Sequence, residues 1–368
     1  MEQQVHFKSV FKYAGAFIAW VIGSGFATGQ EILQFFTSYG WFSYAVVFIN
    51  LVGFLFLGKT MMTKGFEHQD EAGFDHYRFY CGKKLGAVYS WVIPTTLFLT
   101  TAVLLSASGS TLKEYFGLNR YLGSALMAML VLAAYLIGFE KMVKIVSKVG
   151  PVIVVLSIFV GAYTVVRDAS NFSEIGASAQ LLAASQTSPH WSISAVLYLS
   201  LNFLCGSTYY TALGRSAASR SDAKWGAVIG AVVLIISIAL VNTAILLNAA
   251  DSSAFNVPTL YLGNRISRAF GTVFSITLIL GIFSSCSTMM WSFCNRFFTN
   301  DKKKNRIFAA IVAILTFALG LFPFGGLVAV VYPLIGYAGL IFIGCVVYKG
   351  LKKDSKQEAT IGEMEAAI

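Results

Sequence analysis

The sequence is short of charge, of paired cysteines and of catalytic motifs, and each shortage removes a class of answer. Only 12% of its 368 residues are charged, against 57% hydrophobic, and the mean hydropathy is +0.70. A water-soluble domain cannot hide that much apolar surface, so lipid must solvate most of it. The five cysteines, Cys81, Cys205, Cys286, Cys294 and Cys345, are odd in number and scattered, with no CxxC pair or Cys/His cluster. Neither a disulfide framework nor a metal centre is expected from them. Four histidines, His6, His68, His76 and His190, lie near span ends, and there is no HExxH, no GxSxG and no paired intramembrane aspartate. An enzyme would have nothing to work with.

The net charge of +10 does not indicate nucleic acid, because no Lys/Arg run alternates with aromatics. A channel would need a continuous polar path, and no pore-like repeat of charge is seen. No cleavable signal is expected: the first apolar stretch follows a short basic leader and is too long for a signal core.

What is present is a series of apolar runs long enough to cross a bilayer, for which about 20 residues suffice. Charged, Pro or Gly borders divide them into ten spans at 9–37, 41–63, 86–110, 121–139, 143–166, 190–213, 225–249, 268–294, 307–322 and 326–348. Residues 64–84 and 172–186 read as short interfacial helices. With the N-terminus in the cytoplasm, 22 of the 27 Lys/Arg fall on the cytoplasmic side and 5 on the other. That split predicts both termini cytoplasmic, with "DKKKNR" (301–306) as a topology anchor and 349–368 as a cytoplasmic tail. The chain then reads as a single transmembrane domain, residues 1–368, of an all-α multi-pass cell-membrane protein.

Two spans carry an interruption. "GSGFATGQE" places Gly23, Gly25 and Gly29 among Ser24, Phe26, Ala27 and Thr28, followed at once by Glu31. Ten spans also divide into two fives, 9–166 and 190–348, which must be inverted relative to each other, as in one large class of secondary transporters. The sixth span should then carry its own break, and "LCGSTYY" supplies Cys205, Gly206, Ser207, Thr208 and Tyr209, with Phe203 just before. Irregular backbone at membrane depth survives only where it is buried or lines a wet cavity. Its freed carbonyls suit a cation and its freed N–H groups an anion, with the dipole of a half-helix starting near Gln30 adding to the second. The plain alternative is tight helix packing by small residues.

Glu31 is an ionisable group inside a span, and such groups are costly and functional by default. It can bind a substrate ammonium, carry a proton, or cap the restarting helix. Span eight contributes "LGIFSSCSTMM", in which Gly281, Ser284 and Ser285 share one helical face and Ser287 and Thr288 extend it. Those oxygens suit a hard cation, or equally ordinary helix–helix hydrogen bonds.

"GSGFATGQEILQFF" and "YCGKKLGAVYSW" (80–91) resemble the YkvI-type amino acid permeases, a bacterial group within the amino acid–polyamine–organocation superfamily. The likeness extends over the chain in span count and topology. It implies the leucine-transporter-type fold of five plus five inverted helices, with cargo held between broken helices one and six. It also implies a sodium ion between helices one and eight, held by the carbonyls of Ala19, Ile22 and Gly281 and the hydroxyls of Ser284 and Ser285. Proton-coupled relatives often place a lysine of helix five in that position. Here "GPVIVVLSIFV" (150–160) has none, and Lys144 and Lys148 lie near the cytoplasmic border, which tilts the expectation to sodium. The expected function is therefore a symporter of an amino acid or similar small zwitterion, with Na+ or H+ as coupling ion and no other cofactor.

Overall fold

The computed structural model describes residues 7–22, 24–71, 73–137, 149–297 and 301–365, and among these it contains helices and turns but no strand. The first crossing is in three pieces, α1 (Phe7–Val21), α2 (Ser24–Ala27) and α3 (Gln30–Phe35), followed by a 3-10 turn and α4 (Ser43–Glu67). Next come α5 (His76–Phe116), α6 (Arg120–Ile137), α7 (Val149–Arg167), the short α8 (Ile175–Leu181), α9 (Trp191–Arg215) and α10 (Arg220–Leu246). Two short helices, α11 (Ala249–Ser252) and α12 (Pro258–Ile266), precede α13 (Arg268–Cys294), α14 (Lys302–Leu319) and α15 (Phe324–Glu365).

Among the described residues, six helical stretches are long and apolar enough to span a bilayer: Thr37–Glu67, His76–Phe116, Arg120–Ile137, Arg220–Leu246, Arg268–Cys294 and Phe324–Lys352. Large apolar side chains such as Phe48, Val155, Ile314 and Val330 point outward. In water such a surface would aggregate; in lipid it is the solvated face.

Local chemistry sets the helix ends. Asp75, Ser219, Ser267 and Asp301 each accept a backbone N–H from the first turn that follows, at 3.0–3.1 Å. Gly82, at φ 76°, cuts residues 76–81 off from the long helix behind them. That short helix and the 3-10/α8 segment fall where interfacial helices are expected. The pair α11–α12 was not anticipated, because it is short and polar and lies between two strong spans.

Helices α1, α4, α9 and α10 pack as one bundle and α5, α6, α13 and α14 as a second, with α7 and α15 touching both. The short α2 bridges from the first bundle to α5, α7 and α13.

One expectation fails. The sixth span is unbroken: α9 runs through Cys205, Gly206 and Ser207 as continuous helix. Gly206 is there for packing, since a Cβ on it would lie 2.5 Å from Trp20 Nε1 and 2.6 Å from Tyr210 Cε2. A single glycine inside an otherwise helical run is compatible with unbroken winding, and here close approach explains it.

Candidate functional site: the interruption in the first helix

The interruption predicted for the first span is present. Gly29 adopts a left-handed conformation, φ 79°, at the N-cap of α3. A Cβ there would also meet Thr259 Cγ2 at 2.7 Å, so both backbone and space require glycine. The polar groups freed by the break are largely paired. Thr28 Oγ1 donates to the Gly25 carbonyl at 2.6 Å and accepts from Gln30 N–H at 3.3 Å. Gly29 N–H donates to the Phe26 carbonyl at 2.9 Å. Thr259, from α12, donates its N–H to the Thr28 carbonyl at 3.2 Å and its hydroxyl to the Ala27 carbonyl at 2.5 Å. These bonds let an irregular segment persist in a buried place.

Glu31 lies in the first turn of α3 and is 8% exposed. Its side chain turns back beside Gly25, where an added Cβ would run into the carboxylate and come within 3.1 Å of the Tyr332 hydroxyl. The Tyr332 side chain, from α15, hydrogen-bonds Glu31, and Tyr198 and Cys205 of α9 are near enough to feel its charge. Among the described residues no Lys, Arg or His pairs with it. An ionised carboxylate left alone in such a place costs several kcal/mol, about 3 or more. Its charge must be cancelled by a proton or by a cation.

The other expected cargo residues divide. Phe26 and Ala27 are fully buried at the break, Ser24 is in α2, and Gly23 lies outside the described residues. Of the α9 set only Cys205 reaches the neighbourhood of Glu31. Phe203 packs among Phe54 and Tyr210, at ring-centroid distances of 4.9 and 5.3 Å. Ser207 and Thr208 engage the Tyr77 hydroxyl at 2.6 and 3.1 Å. Tyr209 stacks on Trp20 at 5.0 Å and donates to the Ala16 carbonyl.

The expected cation set is less assembled. Helix α13 approaches the first crossing chiefly through α2, beyond the Ala19 and Ile22 carbonyls. Gly281 faces α7, with the Ile153 side chain filling the space where a Cβ would go. Ser284 and Ser285 are half-buried, and the Ser284 carbonyl accepts the Thr288 hydroxyl at 2.9 Å. Ser287, in the same helix, is buried with no partner for its hydroxyl among the described residues.

Tyr332 and Thr259 are the residues that sequence reading missed. Tyr332 is one aromatic in a chain with 15% of them and carries no local signature. Thr259 sits on a segment fastened at both ends. Glu114, at the end of α5, accepts from the backbone N–H groups of Asn256 and Val257 at 2.7 and 3.1 Å. Asp168 accepts from Arg265 and from Asn248, each at 2.9 Å. The Pro258–Thr259 pair, proline at a helix start, is the only trace of this in the sequence.

A first helix interrupted between two packed bundles defines the class: the fold is the one shared by leucine-transporter-type transporters. Two solved structures carry the likeness. One is the Eremococcus coleocola manganese transporter in complex with an aromatic bis-isothiourea substituted compound, with TM-score 0.53, 14% identity, and 86% of this chain and 71% of that one covered. The other is MhsT in complex with L-phenylalanine, with TM-score 0.50, 16% identity, and 87% and 81% covered.

In sequence the chain is similar to the uncharacterized membrane protein YkvI of Bacillus subtilis (strain 168), 25% identical over 344 residues, 93% of this chain and 96% of the relative. It is also similar to the uncharacterized protein YyaD of the same organism, 22% identical over 336 residues, 89% and 92%. No protein-family model matches the sequence. The chain is thus a membrane protein homologous to YkvI on a transporter fold.

Proposed function

We propose that the chain is a secondary transporter of an amino acid or similar small amino-bearing solute, coupled to protons through Glu31 and working by alternating access. The observation that carries this is the Glu31 carboxyl, buried beside the helix break with a tyrosine hydroxyl and, among the described residues, no cation to meet its charge. A proton cancels that charge, and the solute binds beside the protonated carboxyl so that the two cross together. Thr28 and Thr259 hold the break closed, so loading requires the α12 strap to lift off the Ala27 and Thr28 carbonyls.

Helix pairs repeat at an offset of five crossings: α4 packs on α10, α5 on α13 and α6 on α14. That recurrence supports two inverted five-helix repeats, residues 9–166 and 190–348, with both termini cytoplasmic by the basic-residue split. Among the described residues only the first repeat carries a broken helix, so the cargo site is built from residues 25–31, Cys205 and Tyr332 rather than from two facing breaks.

Sodium coupling through Ala19, Ile22, Gly281, Ser284 and Ser285 is the second reading. It is favoured by the unpartnered Ser287 hydroxyl close by and opposed by Ile153 packed against Gly281. Uptake of a panel of labelled amino acids into proteoliposomes, with proton and sodium gradients imposed separately, decides between them. Accumulation driven by the proton gradient alone supports Glu31 coupling. Accumulation driven only by sodium removes it, and no uptake of any amino acid or amine removes the transport reading.

A further inference from the structure

A second site lies far from Glu31, at the end of the molecule where the spans give way to basic residues. Between α4, the short helix at 76–81 and α15 there is a cavity of about 220 Å³ lined by Thr60, Lys64, Phe79, Tyr80, Lys349 and Lys352, with Gly350 in its wall. At roughly 30 Å³ per water molecule it has room for about seven waters, enough for a phosphate ester.

Three of the lining side chains are lysines, which fixes the sign of what can enter. Tyr80 is 5% exposed, and its hydroxyl has no hydrogen-bond partner among the described residues. A buried donor left over in a basic cavity calls for an acceptor from outside the chain. The ammonium of Lys349 is met by the Phe79 carbonyl and lies 4.0 Å from the centroid of the Phe79 ring, with no carboxylate engaging it among the described residues. Glu67, the acid whose charge reaches Tyr80, is engaged by Lys64 at 2.6 Å and Arg220 at 3.1 Å. It helps to fix Lys64 in place.

Depth identifies the source of the anion. The apolar run of α15 ends at Tyr348, immediately before Lys349 and Lys352, and Tyr348 and Leu351 stay exposed on its outer face. That is the level at which headgroups lie against a membrane protein. Basic pockets between transmembrane helices bind phosphate-bearing headgroups, each lysine contributing about 1 kcal/mol near the surface. We propose that this cavity binds the phosphate of an anionic phospholipid, whose acyl chains then lie along the exposed face of α15. The site pins the short helix to α4 and α15, and Gly82 makes that possible by freeing residues 76–81 from the long helix. It depends only on the chain residing in a bilayer, and stands or falls independently of transport.

Thermal unfolding of the delipidated full chain in detergent tests this by titration with dioleoylphosphatidylglycerol, dioleoylphosphatidylcholine and sodium phosphate. Phosphatidylglycerol is expected to stabilise the protein saturably and phosphatidylcholine to leave it unchanged. Lys349→Gln should raise the half-saturating concentration about five-fold. Tyr80→Phe should raise it a few-fold, and Lys83→Gln, an exposed lysine outside the cavity, should not move it. Should Lys349→Gln not fold, Tyr80→Phe and Lys352→Gln carry the test. Equal stabilisation by both lipids, unchanged half-saturation in the cavity variants, or an equal loss in Lys83→Gln would overturn the site. Sodium phosphate matching the lipid at the same concentration would assign it to soluble phosphate and overturn the lipid.

Discussion

Replacing Glu31 by glutamine separates proton carriage from packing. The side chain is 8% exposed and its resolved hydrogen-bond partner is Tyr332, so a neutral amide of the same shape can accept the same bond. The cost to folding should stay within about 1 kcal/mol, the net value of one hydrogen bond. The effect on coupling should be complete. One proton moving with each solute converts a gradient of about one pH unit into 1.36 kcal/mol, or tenfold accumulation. In proteoliposomes with the membrane potential clamped at zero, the wild type should concentrate its solute about tenfold under that gradient. Glu31→Gln should equilibrate it without concentrating it, while exchange of internal for external solute persists. A variant that concentrates solute as the wild type does would refute the assignment of the proton to Glu31.

Other variants follow from the same geometry. Gly25→Ala would drive a methyl group into the Glu31 carboxylate and crowd the Tyr332 hydroxyl, so uptake should be lost at a folding cost of about 1–3 kcal/mol, read by transport and thermal unfolding together. Thr259→Val removes the hydroxyl bond to the Ala27 carbonyl, a net loss of about 1 kcal/mol. It should make a cysteine introduced at Thr28 react about five-fold faster with a membrane-impermeant thiol reagent. Gly206→Ala should lower thermal stability by crowding Trp20 and Tyr210, again by about 1–3 kcal/mol, and leave the ratio of accumulation to gradient unchanged. Tyr332→Phe should weaken solute binding while the protein still folds, measured as a raised half-saturating concentration for uptake.

The first helix was legible because its signal is local. Three glycines within seven residues, a threonine able to cap its own turn and a carboxylate at the restart are all read along one stretch of chain. The sixth span misled for the converse reason. Gly206 is needed by Trp20, which lies 186 positions earlier, and nothing in "LCGSTYY" distinguishes a packing glycine from a breaking one. Tyr332 and Thr259 are likewise defined by what they meet across the fold. Hydropathy could not find α12 either, because its length and polarity are those of a loop, and its role follows from Glu114 and Asp168 fastening it.

A structure determined with a transported amino acid bound is the most direct test of the centre described here. The expected result is the amino group within about 3 Å of the Glu31 carboxyl, next to a main chain that stays irregular at residues 28 and 29. A first crossing wound without interruption from 7 to 35, or cargo lodged away from Glu31, would contradict it.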